Sequence, residues 1–188
     1  MMEVLLARIE SLLSEKDLVT LAIDGPCASG KTTLAAFLAD AFDGQVIHMD
    51  DFFLRPHQRT KARLSEVGGN LDRERFSEEV LKPLSEQKNF SYQPYLCSEG
   101  RLGYPIAVIP RGLVILEGSY SQHPAFGKPY DLTVFCTVSP ALQRERILKR
   151  PSHLHKRFFQ EWIPMEETYF SQFQIAERSD LVLQERDG

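Results

Sequence analysis

The sequence predicts an α/β protein with a five-stranded parallel sheet, helices on both faces, a small β-hairpin insertion and a helical lid. Three observations predict this fold class. Short apolar runs typical of buried strands alternate with stretches whose apolar residues recur at helical spacing. A glycine-rich loop separates the first of these strands from the helix after it. The 188 residues show no shift in composition, so we expect a single domain, 1–188, with a substantial hydrophobic core.

The composition narrows the function classes. The net charge of −4 argues against a nucleic-acid partner bound through a basic face, and no apolar run has the length of a membrane-spanning helix. We see no basic-then-apolar leader, so we expect a cytoplasmic protein without a membrane partner. Three cysteines without metal-ligand spacing indicate neither a disulfide framework nor a zinc site. The sequence leaves the oligomeric state open, and a homo-oligomer is compatible with it.

The N-terminal residues 1–13 are expected to form an amphipathic helix that packs on the core. Its apolar residues at helical spacing are Val4, Leu5, Ile9, Leu12 and Leu13.

A phosphate-binding loop is predicted between the first strand, at 18–24, and the next helix. Gly25, four free positions, Gly30, Lys31 and Thr32 follow one another there. A helix N-terminus carries unpaired N–H groups and partial positive charge, so several donors hold an anion at once. We expect Lys31 to reach the β- and γ-phosphates of a nucleotide and the Thr32 hydroxyl to contact Mg²⁺. The alternative is a glycine-rich turn that only connects two core elements. The predicted nucleotide-binding residues are Gly25, Pro26, Cys27, Ala28, Ser29, Gly30, Lys31, Thr32 and Thr33.

Two carboxylates follow the second predicted strand, which spans 45–49 and forms a right-handed parallel unit with the first. They are Asp50 and Asp51. Ligands of open parallel sheets bind beyond the carboxyl ends of the strands, so we expect these side chains beside the phosphate loop. One of them would orient or deprotonate a hydroxyl that attacks a γ-phosphate. The alternative is a carboxylate that caps the next turn.

The sequence pattern of residues 57–110 predicts a loop, a helix and a hairpin. Residues 57–70 are polar and indicate a mobile surface loop. Asp72 stands at the N-cap position of a helix, and capping alone would explain it. Residues 89–110 alternate and turn near Gly100, which predicts an inserted hairpin. Tyr95 and Arg101 lie on this hairpin, which would cover an acceptor pocket, although aromatic residues there are also typical of packing.

The last three strands are predicted at 112–118, 131–138 and 180–184. Glu117 lies at the end of the first of these, where a carboxylate would hold a water bound to the metal; the alternative is a plain strand-end carboxylate. The segment 139–160, between the other two, is helical and rich in arginine and lysine. We expect a basic lid that stabilises charge on a transferring phosphoryl group and keeps water out. A solvated helix face is the alternative.

Taken in order, these motifs resemble the phosphate-loop kinases of the uridine kinase type and, more distantly, pantothenate kinase. The resemblance spans nearly the whole chain and implies a P-loop NTPase fold. Residues 50–53 resemble the family's Asp-x-Phe-Tyr motif, which would make Asp50 the base and place Phe53 at the acceptor. Residues 70–72 resemble its Asn-Phe-Asp, whose Asp, here Asp72, holds sugar hydroxyls. Glu117 and Gly118 resemble the pair that helps to hold Mg²⁺.

Two further matches are looser. Tyr95 follows Pro94 as in the hairpin motif Pro-x-Tyr-Asp, but no Asp comes after it. Arg146 and Arg150 fall where the family has phosphate-contacting arginines, whereas Gln143 replaces an earlier one. These departures do not affect the predicted reaction type, but they leave the identity of the acceptor molecule open.

The resemblance implies an ATP- and Mg²⁺-dependent kinase that transfers the γ-phosphoryl group to a small-molecule hydroxyl. The leading acceptor is the 5′-hydroxyl of uridine or cytidine. Two alternatives stay open: a kinase for another metabolite, pantothenate-like or a different alcohol, and a nucleotide-dependent switch that orders its lid for a protein partner. A carboxylate on the acceptor side and an aromatic hairpin favour a small-molecule pocket.

Overall fold

A central parallel sheet organises the fold, as predicted. The computed structural model describes residues 1–184. Five strands pair in parallel in the spatial order β2-β7-β1-β8-β9, while β3 pairs with β6 and β4 with β5 in antiparallel ribbons. The strands in chain order are β1 (Leu18–Asp24), β2 (Gln45–His48), β3 (Phe90–Tyr92), β4 (Tyr95–Leu96), β5 (Arg101–Leu102), β6 (Ile106–Val108), β7 (Gly112–Glu117), β8 (Leu132–Thr137) and β9 (Leu181–Gln184).

Helices cover both faces of this sheet. Two of them contain a π-turn in mid-course, at Ser77–Leu81 and at Phe158–Trp162, and continue through it. In chain order they are α1 (Met2–Glu15), α2 (Lys31–Phe42), α3 (Lys61–Ser65), α4 (73–85), α5 (Pro140–Leu148), α6 (155–173) and α7 (Ile175–Arg178). Short 3₁₀ turns lie at Met49–Phe52, Pro56–Gln58, Pro124–Phe126 and Ser152–Leu154.

The core has two halves, one on each face of the sheet. On one face, Leu5 of α1 and Leu38 of α2 pack against the sheet. On the other, Phe76 and Val80 of α4 and Tyr169 of α6 do so. The apolar strand β7 contributes side chains to both halves of the core, because successive side chains of a strand point to opposite faces of the sheet. The predicted α/β class with helices on both faces is therefore confirmed.

The N-terminal helix forms as predicted, with one difference. Leu5 and Ile9 are completely buried, and Leu12 and Leu13 pack at the margin of the core. Val4, which the sequence pattern placed on the apolar face, is 47% exposed. Residues four apart lie on one helix face, so the stripe through Leu5 and Ile9 turns Val4 toward the edge.

The segment predicted as a surface loop, 57–70, is more regular than expected. It begins within a 3₁₀ turn and contains α3, which Thr60 caps by accepting the Arg63 N–H. Arg63 then donates to the carbonyls of Gly69 and Leu71, at 3.2 and 2.9 Å. These side-chain contacts tie the segment to the chain that leads into α4, which the polar composition of the segment did not indicate.

The inserted hairpin is confirmed and rests on the core. Tyr92 pairs with Ile106 and Tyr95 with Leu102. The Tyr92 ring lies 5.2 Å from that of Phe52, between ring centroids. The hairpin is thus attached to the chain that leaves β2.

Three predictions on overall organisation have different outcomes. The second strand ends at His48, one residue earlier than predicted, because Met49 already begins a 3₁₀ turn. Within 1–184, the structure contains no helix with the length and apolarity that crossing a bilayer requires. The single domain 1–188 stays a prediction, and residues 185–188 lie outside the described residues.

Candidate functional site

The phosphate loop joins β1 to α2 and closes around the Lys31 side chain. Lys31 is 7% exposed, and its Nζ donates to the carbonyl oxygens of Gly25 and Pro26 at 2.7 and 2.9 Å. Gly30 is the N-cap of α2 with φ 87°, a left-handed conformation that suits glycine. The first N–H groups of α2 therefore face the loop together with an ammonium group, which is the arrangement that binds phosphate.

Gly25 is required where the loop leaves β1. A Cβ there would lie 2.2 Å from the backbone oxygen of Cys136 in the neighbouring strand β8, and φ is 139°. Only glycine fits this close approach between two backbones.

A hydroxyl and a carboxylate meet beside the loop. Thr32 Oγ1 donates to Glu117 Oε1 at 3.2 Å, and His48 Nδ1 lies 2.5 Å from the same oxygen. Strands β7 and β2 are neighbours and pair His48 with Glu117 in register, so the sheet brings these two side chains together beside Thr32 at the start of α2. The hydrogen bond to Glu117 raises the pKa of His48.

The pair Thr32 and Glu117 fits Mg²⁺ by its chemistry, because this ion takes oxygen ligands and keeps several waters. Within residues 1–184, no group of three or more His, Cys, Asp or Glu side chains is arranged to hold a metal ion. An ion here would therefore need water and phosphate oxygens to complete its coordination, as is usual for Mg²⁺ in nucleotide sites.

Asp50 and Asp51 have different surroundings, although they are adjacent. Asp50 lines the same cleft as Lys31 and Glu117. Loss of surrounding water and the nearby Glu117 carboxylate raise its pKa. Asp51 instead accepts the Tyr92 hydroxyl at 3.1 Å, on the hairpin side. Of the two carboxylates, the structure thus leaves Asp50 available to a ligand in the cleft.

The predicted acceptor residues do not all reach the cleft. Phe53 lines it. Asp72 is 1% exposed, caps α4 by accepting the Arg75 N–H at 3.2 Å, and also accepts from Gln58 Nε2 at 2.8 Å. Tyr95 is 8% exposed and belongs to the core of the hairpin. Arg101 is exposed on the hairpin, where it pairs with Glu99.

The lid side chains Arg146 and Arg150 both line the cleft. Arg146 Nη1 donates to the Ala28 carbonyl of the phosphate loop at 2.9 Å. Arg150 places its guanidinium 5.0 Å from the centre of the Phe158 ring. The structure therefore brings both predicted lid arginines to the cleft and places Arg146 on the phosphate loop.

Cys27 is held within the loop. Burial and the nearby Glu166 carboxylate raise the pKa of its thiol to about 12. Gln143, which stands where the resembling family has an arginine, donates to the Cys27 carbonyl at 2.9 Å. The raised pKa favours the neutral thiol, which is the less nucleophilic form.

Sequence reasoning missed two buried carboxylates. Asp24 is completely buried and accepts the N–H groups of Gly25, Tyr120 and Gln122 and the Tyr169 hydroxyl. Its burial raises its pKa to about 6. Glu166 is 6% exposed and binds the loop from 139 residues away in the sequence. A carboxylate at the end of an apolar strand was a signal for Asp24, whereas nothing in the sequence marked Glu166.

One cleft of roughly 2160 Å³ is lined by the loop residues and by the carboxylates and arginines of the predicted site, namely Lys31, Thr32, Asp50, Glu117, Arg146 and Arg150. This volume exceeds that of a typical pocket for one drug-sized ligand, so it has room for a nucleotide and a small acceptor together. Its walls come from the phosphate loop, the segment after β2, the end of β7 and the lid.

Comparisons with known proteins support the fold. The chain is similar to "a Possible Uridine Kinase" from Bacillus stearothermophilus, with TM-score 0.69 and 20% identity over 95% of this chain and 98% of that one. A shikimate kinase from Acinetobacter baumannii, solved in complex with shikimate, gives TM-score 0.51 and 18% identity over 96% and 89%. No protein-family model and no curated protein matches the sequence. The chain therefore has the fold of the P-loop kinases, and its resemblance to the uridine kinase type is confirmed at the level of the fold.

Proposed function

We propose that the protein is an ATP-dependent kinase that transfers the γ-phosphoryl group to a hydroxyl of a small molecule. One observation carries the proposal: the Asp50 carboxylate faces the same cleft as Lys31 of the phosphate loop and the pair formed by Thr32 and Glu117. A phosphate cradle, an oxygen site for Mg²⁺ and a carboxylate in one cleft are the components of phosphoryl transfer.

The roles follow from the positions of the side chains. Lys31 and the N–H groups at the start of α2 hold the ATP phosphates. Thr32 and Glu117 would hold Mg²⁺, and this ion would supply positive charge that neutralises the phosphates. Asp50 accepts the hydroxyl proton as the acceptor oxygen bonds to the γ-phosphorus and the bond to the β-phosphate oxygen breaks. Arg146 and Arg150 stabilise the charge on the transferring group.

The acceptor that we propose first is the 5′-hydroxyl of uridine or cytidine. The motif at 50–53 and the fold shared with a protein described as a possible uridine kinase support it. Phe53 is the predicted acceptor contact that the cleft geometry supports. Asp72, Tyr95 and Arg101 stay proposals as acceptor contacts, and each would need to leave its present partners or position.

A second acceptor class is an alcohol that carries a carboxylate or phosphate. Arg59 is exposed and lines the cleft, and no carboxylate among residues 1–184 pairs with it. An unpaired guanidinium in a binding cleft favours an anionic group on the ligand. This observation supports the pantothenate-like alternative over a neutral nucleoside.

The test measures ADP release from ATP and Mg²⁺ with a panel of nucleosides, pantothenate and other alcohols, and with Asp50→Asn as the control protein. Stimulation by one acceptor that Asp50→Asn abolishes would support the kinase. Stimulation by uridine or cytidine selects the nucleoside, and stimulation by anionic alcohols alone selects the second class. Tight ATP binding without stimulation by any alcohol would favour the nucleotide-dependent switch. The cytoplasmic location, a homo-oligomeric state and the lack of a nucleic-acid partner stay predictions.

A further inference from the structure

Two buried side chains, one in the lid segment 139–160 and one further along α6, hold one residue of the phosphate loop by both of its backbone polar groups. Glu166 on α6 accepts the Cys27 N–H at Oε2, 2.8 Å away. Gln143 on α5 donates from Nε2 to the Cys27 carbonyl, 2.9 Å away. Their side chains belong to residues that are only 6% and 9% exposed. We propose that Gln143 and Glu166 are positioning residues that hold the phosphate loop in its ATP-binding shape and couple that shape to the lid.

The residue after Cys27 shows why the loop needs such support. Ala28 has φ 63°, in the left-handed region that residues with a Cβ rarely adopt. Arg146 binds its carbonyl at 2.9 Å, and Gln143 binds the carbonyl just before it. Both peptide groups that flank Ala28 are thus fixed by lid side chains. Released from them, Ala28 would relax toward an ordinary conformation and rotate the N–H groups that face the phosphates.

The other carboxylate oxygen of Glu166 extends the contact across the site. Oε1 accepts the Ser119 hydroxyl at 2.6 Å, and Ser119 follows β7 just after Glu117. A carboxylate only accepts hydrogen bonds, so these two donors fix its orientation. Helix α6, which begins within the lid segment, is thereby joined to the loop and to the strand end that carries Glu117.

The charge of Glu166 has the wrong sign for a site that binds a triphosphate. A buried carboxylate next to the loop repels the phosphates, so charge alone gives no reason for its presence. Its value is as a hydrogen-bond acceptor for Cys27. The substitution Glu166→Gln can therefore separate the effect of geometry from that of charge. It keeps an acceptor oxygen for the Cys27 N–H and removes the repulsion of the phosphates. The Ser119 hydroxyl can then donate to the Gly25 carbonyl, 3.0 Å away.

The experiment measures the Kd of Mg²⁺-ATP by titration calorimetry, with the melting temperature of each variant alongside. We expect Gln143→Ala and Glu166→Ala each to weaken ATP binding about tenfold, the effect of losing one charged or buried hydrogen bond. The double variant should bind no more weakly than the worse single variant, because both contacts hold the same residue, Cys27. Glu166→Gln should bind ATP at least as tightly as the wild type. Glu167→Ala, which removes an exposed carboxylate from the next position of α6, should match the wild type.

Several results would overturn the proposal. If Glu166→Ala and Glu166→Gln both tighten ATP binding, Glu166 acts through charge alone. Unchanged Kd values in both alanine variants, or additive losses in the double variant, would show that the contacts do not set the loop shape. If Glu166→Ala does not fold, Gln143→Ala and Glu166→Gln still decide the question. The proposal rests on the proposed function in one respect, since it assumes that the protein binds ATP. A wild-type protein that does not bind ATP would refute the proposed function. A wild-type protein that binds ATP, with variants of the same affinity, would refute only the positioning role of Gln143 and Glu166.

Discussion

Asp50→Asn tests the chemical step most directly. Asp50 lines the cleft, and none of residues 1–184 engages its carboxylate in a hydrogen bond or an ion pair. The change replaces one oxygen by an amide nitrogen and keeps the size of the side chain. We therefore expect the fold and the phosphate loop to stay intact while proton acceptance is lost.

The expected loss follows from the role of a general base. Such a group contributes about 10²- to 10⁴-fold to rate, and kcat should fall by that factor. This corresponds to about 2.7 to 5.5 kcal/mol of transition-state free energy. The KM for ATP should stay equal or decrease, because the change removes a negative charge beside the cleft that holds the triphosphate.

The pH dependence adds a second readout with a definite sign. The base works when it is deprotonated, so activity falls as pH drops through the pKa of Asp50. Burial and the Glu117 carboxylate raise that pKa. The acid limb of kcat/KM should therefore lie above the ordinary aspartate value of about 3.9, and Asp50→Asn should lack it.

Asp51→Asn is the matched control, because it makes the same change one residue later. Its side chain accepts the Tyr92 hydroxyl at 3.1 Å, and an asparagine oxygen can still do so. We expect the stability to change by less than about 1 kcal/mol and kcat to stay within about threefold of the wild type. Coupled ADP-release assays, with the acceptor that the panel described above selects, measure both variants. A crippled Asp51→Asn beside an active Asp50→Asn would refute the assignment and shift the base by one residue.

Three further predictions concern the loop. Lys31→Ala should fold but lose phosphoryl transfer by at least about 10²-fold in the same assay, and retained turnover would contradict the phosphate-loop role. Gly25→Ala should lower the free energy of unfolding by at least about 3 kcal/mol in urea titrations, since its Cβ would meet the Cys136 carbonyl at 2.2 Å. Gly100→Ala, with φ 68° but open space around the Cβ, should cost only about 1 kcal/mol, and equal losses would refute the clash. Iodoacetamide at pH 8 should label exposed Cys97 well before Cys27, whose pKa is raised to about 12; equal rates in the folded protein would contradict that protection.

The sequence predicted the parts of the site that local pattern determines. Strand, glycine-rich loop and helix lie in one stretch, so Lys31 and Thr32 could be placed from spacing alone. Glu117 could be placed because a parallel sheet collects the carboxyl ends of its strands at one edge. The distinction between Asp50 and Asp51 could not be derived from the residues, because it depends on which one the Tyr92 hydroxyl engages, 41 residues away.

The acceptor residues show the limit of motif resemblance. Asp72 matches a motif position, yet Gln58 and the N-terminus of α4 already satisfy its carboxylate. Arg101 belongs to the predicted hairpin, but the two ribbons of that hairpin turn it to the surface. A motif fixes the order of residues, whereas contacts between segments decide which side chains face the cleft. Gln143 is the reverse case, since a departure from the motif proves to hold the phosphate loop.

Asp24 explains how these separate segments become one site. It ends β1, the middle strand of the sheet, and binds the Gly25 N–H that begins the phosphate loop. The same carboxylate binds the backbone of Tyr120 and Gln122 after β7 and the Tyr169 hydroxyl on α6. Burial raises the pKa of Asp24, whereas the hydrogen bonds from its donors lower it, and burial has the larger effect. A charged carboxylate at this position therefore costs electrostatic free energy. Such a cost is consistent with a group that aligns the loop, the Glu117 strand end and helix α6, which continues from the lid; phosphoryl transfer requires these elements in one fixed arrangement.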